Sequence, residues 1–298
     1  MHCRDRSHGA GLLDDRTFAA RITRAMGAGV TFLDTSDAYG LGRSERLLGR
    51  LLADHPDRPV RVSSKVGRVR GTAAHPYAGR RVSLQLQQTL DNLGLERLAV
   101  YTLESTDFGE DDRYLVPVVE QLRTLRELGY IGAIGLRVVD GRQGPCAEAV
   151  ARARRMLFLL QLIRPDVIWT EFDALLPARA FSPDGRDLLS FAAEEGMAVF
   201  LAVSTGARLP ADAAGPESRA LAALRRSLGE RAGRLLLRYV VRQADCTALA
   251  GMKADTEELR RLMETPLPPE DLARVADAYG LVRRMLAVPG VARPNGLV

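Results

Sequence analysis

Three side chains of this sequence combine types and spacing suited to acid–base chemistry. Asp34 and Tyr39 stand five residues apart in Gly29 to Gly49, which reads GVTFLDTSDAYGLGRSERLLG, and Lys65 directly follows the run Pro59 to Ser64, PVRVSS. A cation beside a phenol favours the phenolate and lowers the phenol pKa from its reference value of about 10. A carboxylate such as Asp34 holds that cation in place. A phenol tuned in this way is a general acid for an oxygen that gains negative charge during reaction. Lys65 stands out for a second reason: all but two of the 42 basic residues are arginine, the other lysine being Lys253. In such a chain a lysine marks a place where a compact ammonium differs from a guanidinium.

The elements around these residues must bring them to one rim. Val30, Phe32 and Leu33 form a β-branched and aromatic run that empties into a polar loop, so Asp34 is expected at the C-terminal tip of a strand, the end of a parallel barrel where chemistry is built. Tyr39 follows on the loop, loosened by Gly40 and Gly42, with Ser44 expected to cap a helix running to Leu52. Pro59 to Ser64 alternates as a strand and delivers Lys65 to the same rim. Helical spacing marks Leu13–Gly27, Val82–Leu93, Arg113–Gly129 and material in Leu221–Val241, and short apolar strands are expected at Leu98–Leu103, Ile131–Leu136, Asp166–Phe172, Met197–Val203 and Thr247–Ala250. Strand and helix alternating every 30 to 40 residues or so predict a parallel sheet closed as a (β/α)8 TIM barrel, one domain over 1–298. The segment PLPPEDLARVADAYGLVRRML reads as a capped helix, and 287–298 as a flexible tail or an arch over the barrel mouth. At the other end, Met1 to Gly11 is polar and supplies only a stub around Met1 to Arg4. Either the first strand is shortened, or the true start lies upstream, or the barrel is open at this seam.

With 298 residues, 46% of them hydrophobic and 27% charged, the chain is ordinary for a globular protein with a full core. No apolar run approaches the roughly 20 residues of a membrane span, and Met1 to Ala10 lacks the apolar centre of a signal peptide; the expectation is a cytoplasmic protein. Cys3, Cys146 and Cys246 are too few and too scattered for a disulfide framework or a zinc site, so no metal is expected. The net charge of +5 does not point to nucleic acid, because 37 acidic residues are interspersed with the basic ones. The expected partner is a small molecule, with the protein a monomer or a homo-oligomer.

Asp34, Thr35, Ser36, Tyr39, Gly40, Ser44, Glu45, Leu48 and Gly49 fall on the pattern D-T-S-x-x-Y-G followed by S-E-x-x-L-G, and in this the chain resembles the aldo-keto reductase family. The resemblance runs over roughly Leu13 to Leu286 and is strongest at the second and third barrel strands. It implies that Asp34, Tyr39 and Lys65 belong to a catalytic tetrad, and Lys65 matches the lysine that ends the third strand. The fourth strand departs from the pattern. Where the family has Y-x-L-H, this chain reads YTLES, so Glu104 takes the place of the histidine, which is similar to the steroid 5β-reductase subgroup. A carboxyl held neutral in an apolar pocket can donate a hydrogen bond to a substrate carbonyl; alternatively Glu104 is tied up in a salt bridge with Lys65 or an arginine.

The resemblance also implies an NADPH site, with changes. Arg137 and Val138 stand where a serine and an asparagine would hold the nicotinamide carboxamide, Trp169 stands where a glutamine would touch it, and Ala202 and Val203 replace the stacking tyrosine. Farther along, Ser204, Thr205 and Gly206 form a polar loop able to bind pyrophosphate through backbone N–H groups, or an ordinary turn. Gly251 and Lys253, ahead of a helix capped by Asp255 or Thr256, are similar to the family's site for the adenosine 2′-phosphate, although Leu262 replaces its closing asparagine.

Two enzymatic expectations follow, and a third without catalysis. The first is an NADPH-dependent oxidoreductase that reduces a ketone or conjugated enone, with Tyr39 as the acid, Asp34 and Lys65 tuning it, and Glu104 polarising the carbonyl; the glutamate and the atypical pocket suggest a bulky natural-product intermediate. The second is a redox-neutral dehydratase, isomerase or cyclase that has lost nicotinamide binding. The third is a binding subunit, and fold analogy does not choose among them.

Overall fold

The computed structural model describes Met1 and residues 13–138, 146–182, 184–203, 216–243, 245–252 and 255–286. Helices and strands alternate: α1 (Asp15–Gly27), β1 (Phe32–Asp34), α2 (Arg43–Ala53), β2 (Arg61–Val66), α3 (Arg81–Leu93), β3 (Leu98–Leu103), α4 (Leu115–Glu127), β4 (Ile131–Arg137), α5 (Cys146–Ile163), β5 (Val167–Glu171), α6 (Leu188–Glu194), β6 (Ala198–Val203), α7 (Pro216–Leu228), α8 (Ala232–Val240), β7 (Cys246–Ala250), α9 (Thr256–Glu264) and α10 (Pro269–Leu286). The seven strands follow one another in chain order in a single sheet, and pairs β1–β2, β2–β3, β3–β4 and β4–β5 are parallel. Strict chain order with parallel pairing is the topology expected from the sequence, and all seven strands lie where the apolar runs placed them.

The chain divides into two compact units, the first comprising Met1–Arg137, Pro165–Trp169 and Leu249–Glu257. In it the amphipathic helices bury one stripe each: Phe18, Ile22, Ala25 and Met26 from α1, Leu47 and Leu48 from α2, and Val118, Val119, Leu122 and Leu125 from α4. Asp14 caps α1, its carboxylate accepting from Thr17 N at 2.8 Å. Met1 makes the two backbone hydrogen bonds of a parallel bridge opposite Leu33: its N–H donates to Phe32 O at 2.7 Å, and Asp34 N–H donates to Met1 O at 2.6 Å. One residue of the expected stub thus lies along β1, and the rest of Met1 to Arg4 falls outside the described residues.

The second unit comprises Val138–Arg164, Thr170–Ala248 and Glu258–Val298. Its core is built by α7, α8 and α10, where Ala220, Leu224, Leu236, Val275, Tyr279 and Val282 are fully shielded from solvent. Tyr279 is satisfied within it by donating its hydroxyl to Ala174 O at 2.8 Å.

The structure corrects one expectation about capping. Ser44 does not cap α2; the helix starts at Arg43, with Gly42 at the cap position and no side chain bonded there. Gly40, Leu41 and Gly42 have φ of 61, 50 and 79° in succession. This left-handed turn delivers the chain straight into the helix, so the first turn forms two residues earlier than a Ser44 cap implies and Ser44 is buried inside it. Helices α5 and α6 were not foreseen. In α5, CAEAVARARRMLFLLQLI, small residues and arginines fill the first half and apolar residues crowd the second, which blurs the 3.6-residue period. The tail 287–298 lies outside the described residues. Among the described residues no helix is long and apolar enough to cross a membrane.

Candidate active site

Register explains how distant residues reach one face. Asp34 pairs with Ser63, Lys65 with Thr102, Thr102 with Gly135, and Arg137 with Trp169. Side chains alternate along a strand with period 2, so residues directly opposite in parallel strands share a face. Asp34, Ser63, Lys65, Thr102, Arg137 and Trp169 therefore point the same way, and Glu104, two residues beyond Thr102, continues the row. Ser64, one position out of phase, points to the other side, where its hydroxyl donates to Glu45 Oε1 of α2 at 2.8 Å. Gly135 keeps the face clear: a Cβ there would lie 2.3 Å from Thr102 Oγ1.

The centre of the face is a buried ion pair. Lys65 Nζ donates to Asp34 Oδ2 at 2.6 Å and to Thr35 O at 2.6 Å, with both charged side chains fully buried. Asp34 also accepts from Ser63 Oγ at 2.7 Å on Oδ1 and from Trp169 Nε1 at 3.1 Å on Oδ2. Each carboxylate oxygen is thus occupied, the condition under which a buried charge is tolerated. The ammonium also faces two aromatic rings, 5.3 Å from the Tyr39 centroid and 5.2 Å from that of Trp169. Tyr39 is only 7% exposed. Asp34, Tyr39 and Lys65, singled out from the sequence, are together in the first unit.

Glu104 lies beyond the tip of β3, anchored by its own N–H to Val66 O at 2.8 Å. Its Oε1 meets Arg68 Nε at 3.1 Å and Arg137 Nη1 at 3.5 Å, and its Oε2 receives the Ser36 hydroxyl at 3.1 Å. Of the alternatives drawn from the sequence, the structure shows the salt bridge, with two arginines as the partners. Tyr77 braces the loop just after it, donating to Ser105 O at 2.8 Å while Ser105 N–H donates back at 3.0 Å; burial pushes the Tyr77 phenol well up.

Residues that the sequence reading did not single out complete the site. Ser63 and Ser36 donate to the two carboxylates already named. Asp37, 2% exposed, has its carboxyl pushed up to about 7, first by burial and then by the neighbouring carboxylates Glu45 and Glu104. Glu45 is also raised by burial, partly offset by its bonds from Asn92, Ser64 and Thr89. Ser36, Asp37 and Glu45 lie within the motif and Ser63 in the strand before Lys65, but only register and loop path reveal which of them meet.

The positions assigned to a cofactor divide. Ser204, Thr205, Gly206 and Lys253 lie outside the described residues. Gly251 is buried, next to Met252, whose carbonyl accepts from Arg21 Nη1 at 2.7 Å. Arg137 and Trp169 turn toward the chain itself: the guanidinium reaches Glu104 and lies 5.1 Å from the indole centroid, and the indole N–H is bound to Asp34. Trp169 is 2% exposed, which leaves its ring no open face on which to stack a nicotinamide. The acid–base side chains suit a nicotinamide-dependent reduction, whereas these two residues do not supply the contacts to the carboxamide that they replace.

The sequence pattern of the aldo/keto reductase family matches residues 6–167 of this chain. An uncharacterised oxidoreductase of Mycobacterium tuberculosis is 36% identical over 122 residues, covering 40% of this chain and 35% of that protein. The match therefore spans about a third of that relative's length. Among solved structures, the aldo-keto reductase AKR11C1 of Bacillus halodurans in its holo form superposes with a TM-score of 0.66 at 18% identity, covering 89% of this chain and 88% of that one. An aldo/keto reductase of Klebsiella pneumoniae in complex with NADP and acetate gives a TM-score of 0.60 at 18% identity, covering 99% and 95%. These likenesses show the fold, a (β/α)8 barrel of the aldo-keto reductase kind, of which seven strands are formed among the described residues.

Proposed function

Because the chain belongs to the aldo/keto reductase family, we propose that it is an oxidoreductase that reduces a ketone or a conjugated enone, with Tyr39 as the proton donor. The observation that carries this reading is the buried Lys65–Asp34 pair with its ammonium 5.3 Å from the Tyr39 ring. Two of the three ammonium N–H groups are used by Asp34 and Thr35, so the Lys65 charge is fixed in position. A fixed cation beside the phenol stabilises the negative charge that develops on the Tyr39 oxygen as its proton leaves. Asp34 and Ser63 prevent that cation from moving to follow the charge. Arg137 and Arg68 fix Glu104 at the same rim, where a substrate oxygen would be received. When bound, NADPH would supply the hydride; this is an expectation from the family, in keeping with the NADP complex of the Klebsiella relative. A natural-product ketone remains the proposed substrate class, from the glutamate in the histidine's place.

A second reading is favoured by one observation, the burial of Trp169 against Asp34. If that ring holds the place of the nicotinamide, the same acid–base set serves a redox-neutral elimination, isomerisation or cyclisation, with Tyr39 and Glu104 as acid and base. Titration with NADPH, followed by the fluorescence of Trp169, separates the two, since it is the single tryptophan of the chain. Quenching at micromolar cofactor supports the reductase; no binding at millimolar cofactor overturns it in favour of the second reading. Tyr39→Phe is expected to lower turnover by roughly 10²- to 10⁴-fold with the fold intact by circular dichroism.

A further inference from the structure

Ser36 has more carboxyl neighbours than its one proton can serve. Its Oγ lies 3.1 Å from Glu104 Oε2 and 3.2 Å from Asp37 Oδ1, and it accepts the Ala38 N–H at 3.2 Å. A hydroxyl carries one proton and two lone pairs. Were both carboxyl groups ionised, one of the two short oxygen–oxygen contacts would hold no proton and would be repulsive. A carboxylic acid on one side completes the valence: it donates to Ser36, and Ser36 donates to the other carboxylate.

The surroundings decide which side is the acid. Glu104 meets the guanidinium groups of Arg68 and Arg137. Among the described residues Asp37 makes no ion pair, and its Oδ2 is buried without a hydrogen-bond partner. A bare buried oxygen is far less costly as the carbonyl of a neutral acid than as half of a charge. Among the described residues, the charged groups that act most on Asp37 are the carboxylates Glu45 from α2 and Glu104 beyond β3, and Asp37 acts in turn on the phenols of Tyr101 from β3 and Tyr77 between β2 and α3; none of these is positive.

We propose that Asp37, Ser36 and Glu104 share one excess proton, held at rest on Asp37, and that Asp37 is a positioning residue that supplies it through Ser36 to Glu104. The transfer moves two protons one place each: the Asp37 Oδ1 proton to Ser36 Oγ, and the Ser36 hydroxyl proton to Glu104 Oε2. Asp37 ends ionised and Glu104 neutral, with no net change of charge. Neutral Glu104 then donates a hydrogen bond to the substrate oxygen. Only this last use rests on the proposed reduction; the resting place of the proton does not. The raised carboxyl of Asp37 agrees with the assignment.

Infrared spectroscopy of the full chain tests it without substrate or cofactor. At about pH 6 ordinary carboxyl groups are ionised, so a carboxylic acid C=O band reports a group held neutral. The expected result is such a band in the wild type, shifted by ¹³C labelling of aspartate side chains, insensitive to glutamate labelling, lost by pH 9 or so, and absent from Asp37→Asn. Ser36→Ala is expected to keep the aspartate band, as the acid keeps the burial that raises it. The absence at pH 6 of any band that follows the aspartate label overturns the assignment; a band that follows the glutamate label belongs to another group, Glu45 being also raised by burial. The labelling works on the unmutated protein, so it stands even where a variant fails to fold. An intact band in a protein that does not bind NADPH would sink the reductase reading and leave this one standing.

Discussion

Asp34, the last residue of β1, and Asp37, on the loop after it, are three residues apart and both are almost wholly buried, at 0% and 2% exposure, yet the chain neutralises them by different means. Asp34 has a cation and two neutral donors: Lys65, Ser63 and Trp169. Asp37 has one serine hydroxyl and two carboxylates for neighbours. The first can be buried as a charge because attraction and hydrogen bonds offset the loss of hydration; the second can be buried only by keeping a proton. The strand end and the loop after it thereby present a permanent ion pair and a titratable acid close together in sequence. An enzyme that must hold one charge still and move another has use for both.

Removing the cation should have the largest effect. Lys65→Met keeps the volume but leaves Asp34 buried and unpaired, for which a loss of roughly 3–5 kcal/mol is expected. Urea unfolding at pH 7.5 measures it. A loss below about 1 kcal/mol would mean that Asp34 is not held as a charge, and the contrast with Asp37 would fail.

The second variant should act in the opposite direction. The Asp37 carboxyl is raised from 3.8 to about 7, so between those values the folded chain binds more protons than the unfolded one and stability falls as pH rises. The contribution is fully present below about pH 4 and lost above about pH 7. Asp37→Asn removes that dependence. Its expected gain over the wild type is on the order of a few kcal/mol at pH 8 and near zero at pH 4, read from paired unfolding curves. A variant that is destabilised equally at both pH values would show that Asp37 contributes a hydrogen bond and no titration.

The ion pair could be read in the sequence and the acid could not, for a physical reason. Asp34 ends one strand and Lys65 lies near the end of the next, so a count of strand ends brings them together before any coordinates. The Ser63 contact needs the pairing of Asp34 with Ser63, and register is not written in either strand alone. Asp37 was only a filler position in the motif. Its role depends on a loop that turns back over Glu104, and on Glu104 being held by arginines from two other segments. The barrel topology was legible from short apolar runs, whereas α5 was hidden by a sequence whose apolar residues cluster at one end instead of repeating. The Ser44 cap failed because a run of left-handed residues fixed the helix start more strongly than a side-chain oxygen did.

A third variant sharpens the role of Trp169 in the charged half. Trp169→Phe deletes the N–H that Asp34 accepts at 3.1 Å and leaves the Lys65 pair in place. A hydrogen bond to a charged group contributes roughly 1.5–3 kcal/mol, so a loss in that range is expected, followed by circular dichroism because the only tryptophan is gone. If NADPH binding improves in this variant, the ring is an obstacle to the cofactor; if it weakens, the ring is part of its site.

The smallest effect separates the two causes that raise Asp37. Burial is the larger and repulsion from Glu45 the next. Glu45→Gln abolishes that repulsion while an amide oxygen still accepts from Ser64 and Thr89, at 2.8 and 3.0 Å in the present arrangement. If burial dominates, the infrared midpoint of Asp37 should fall by less than about one pH unit and stay well above an ordinary aspartate. A fall all the way to the ordinary range would make repulsion the main cause. Asp37 would then be an acid because of its company rather than its depth, and any cation brought to the rim by a ligand would suffice to discharge it.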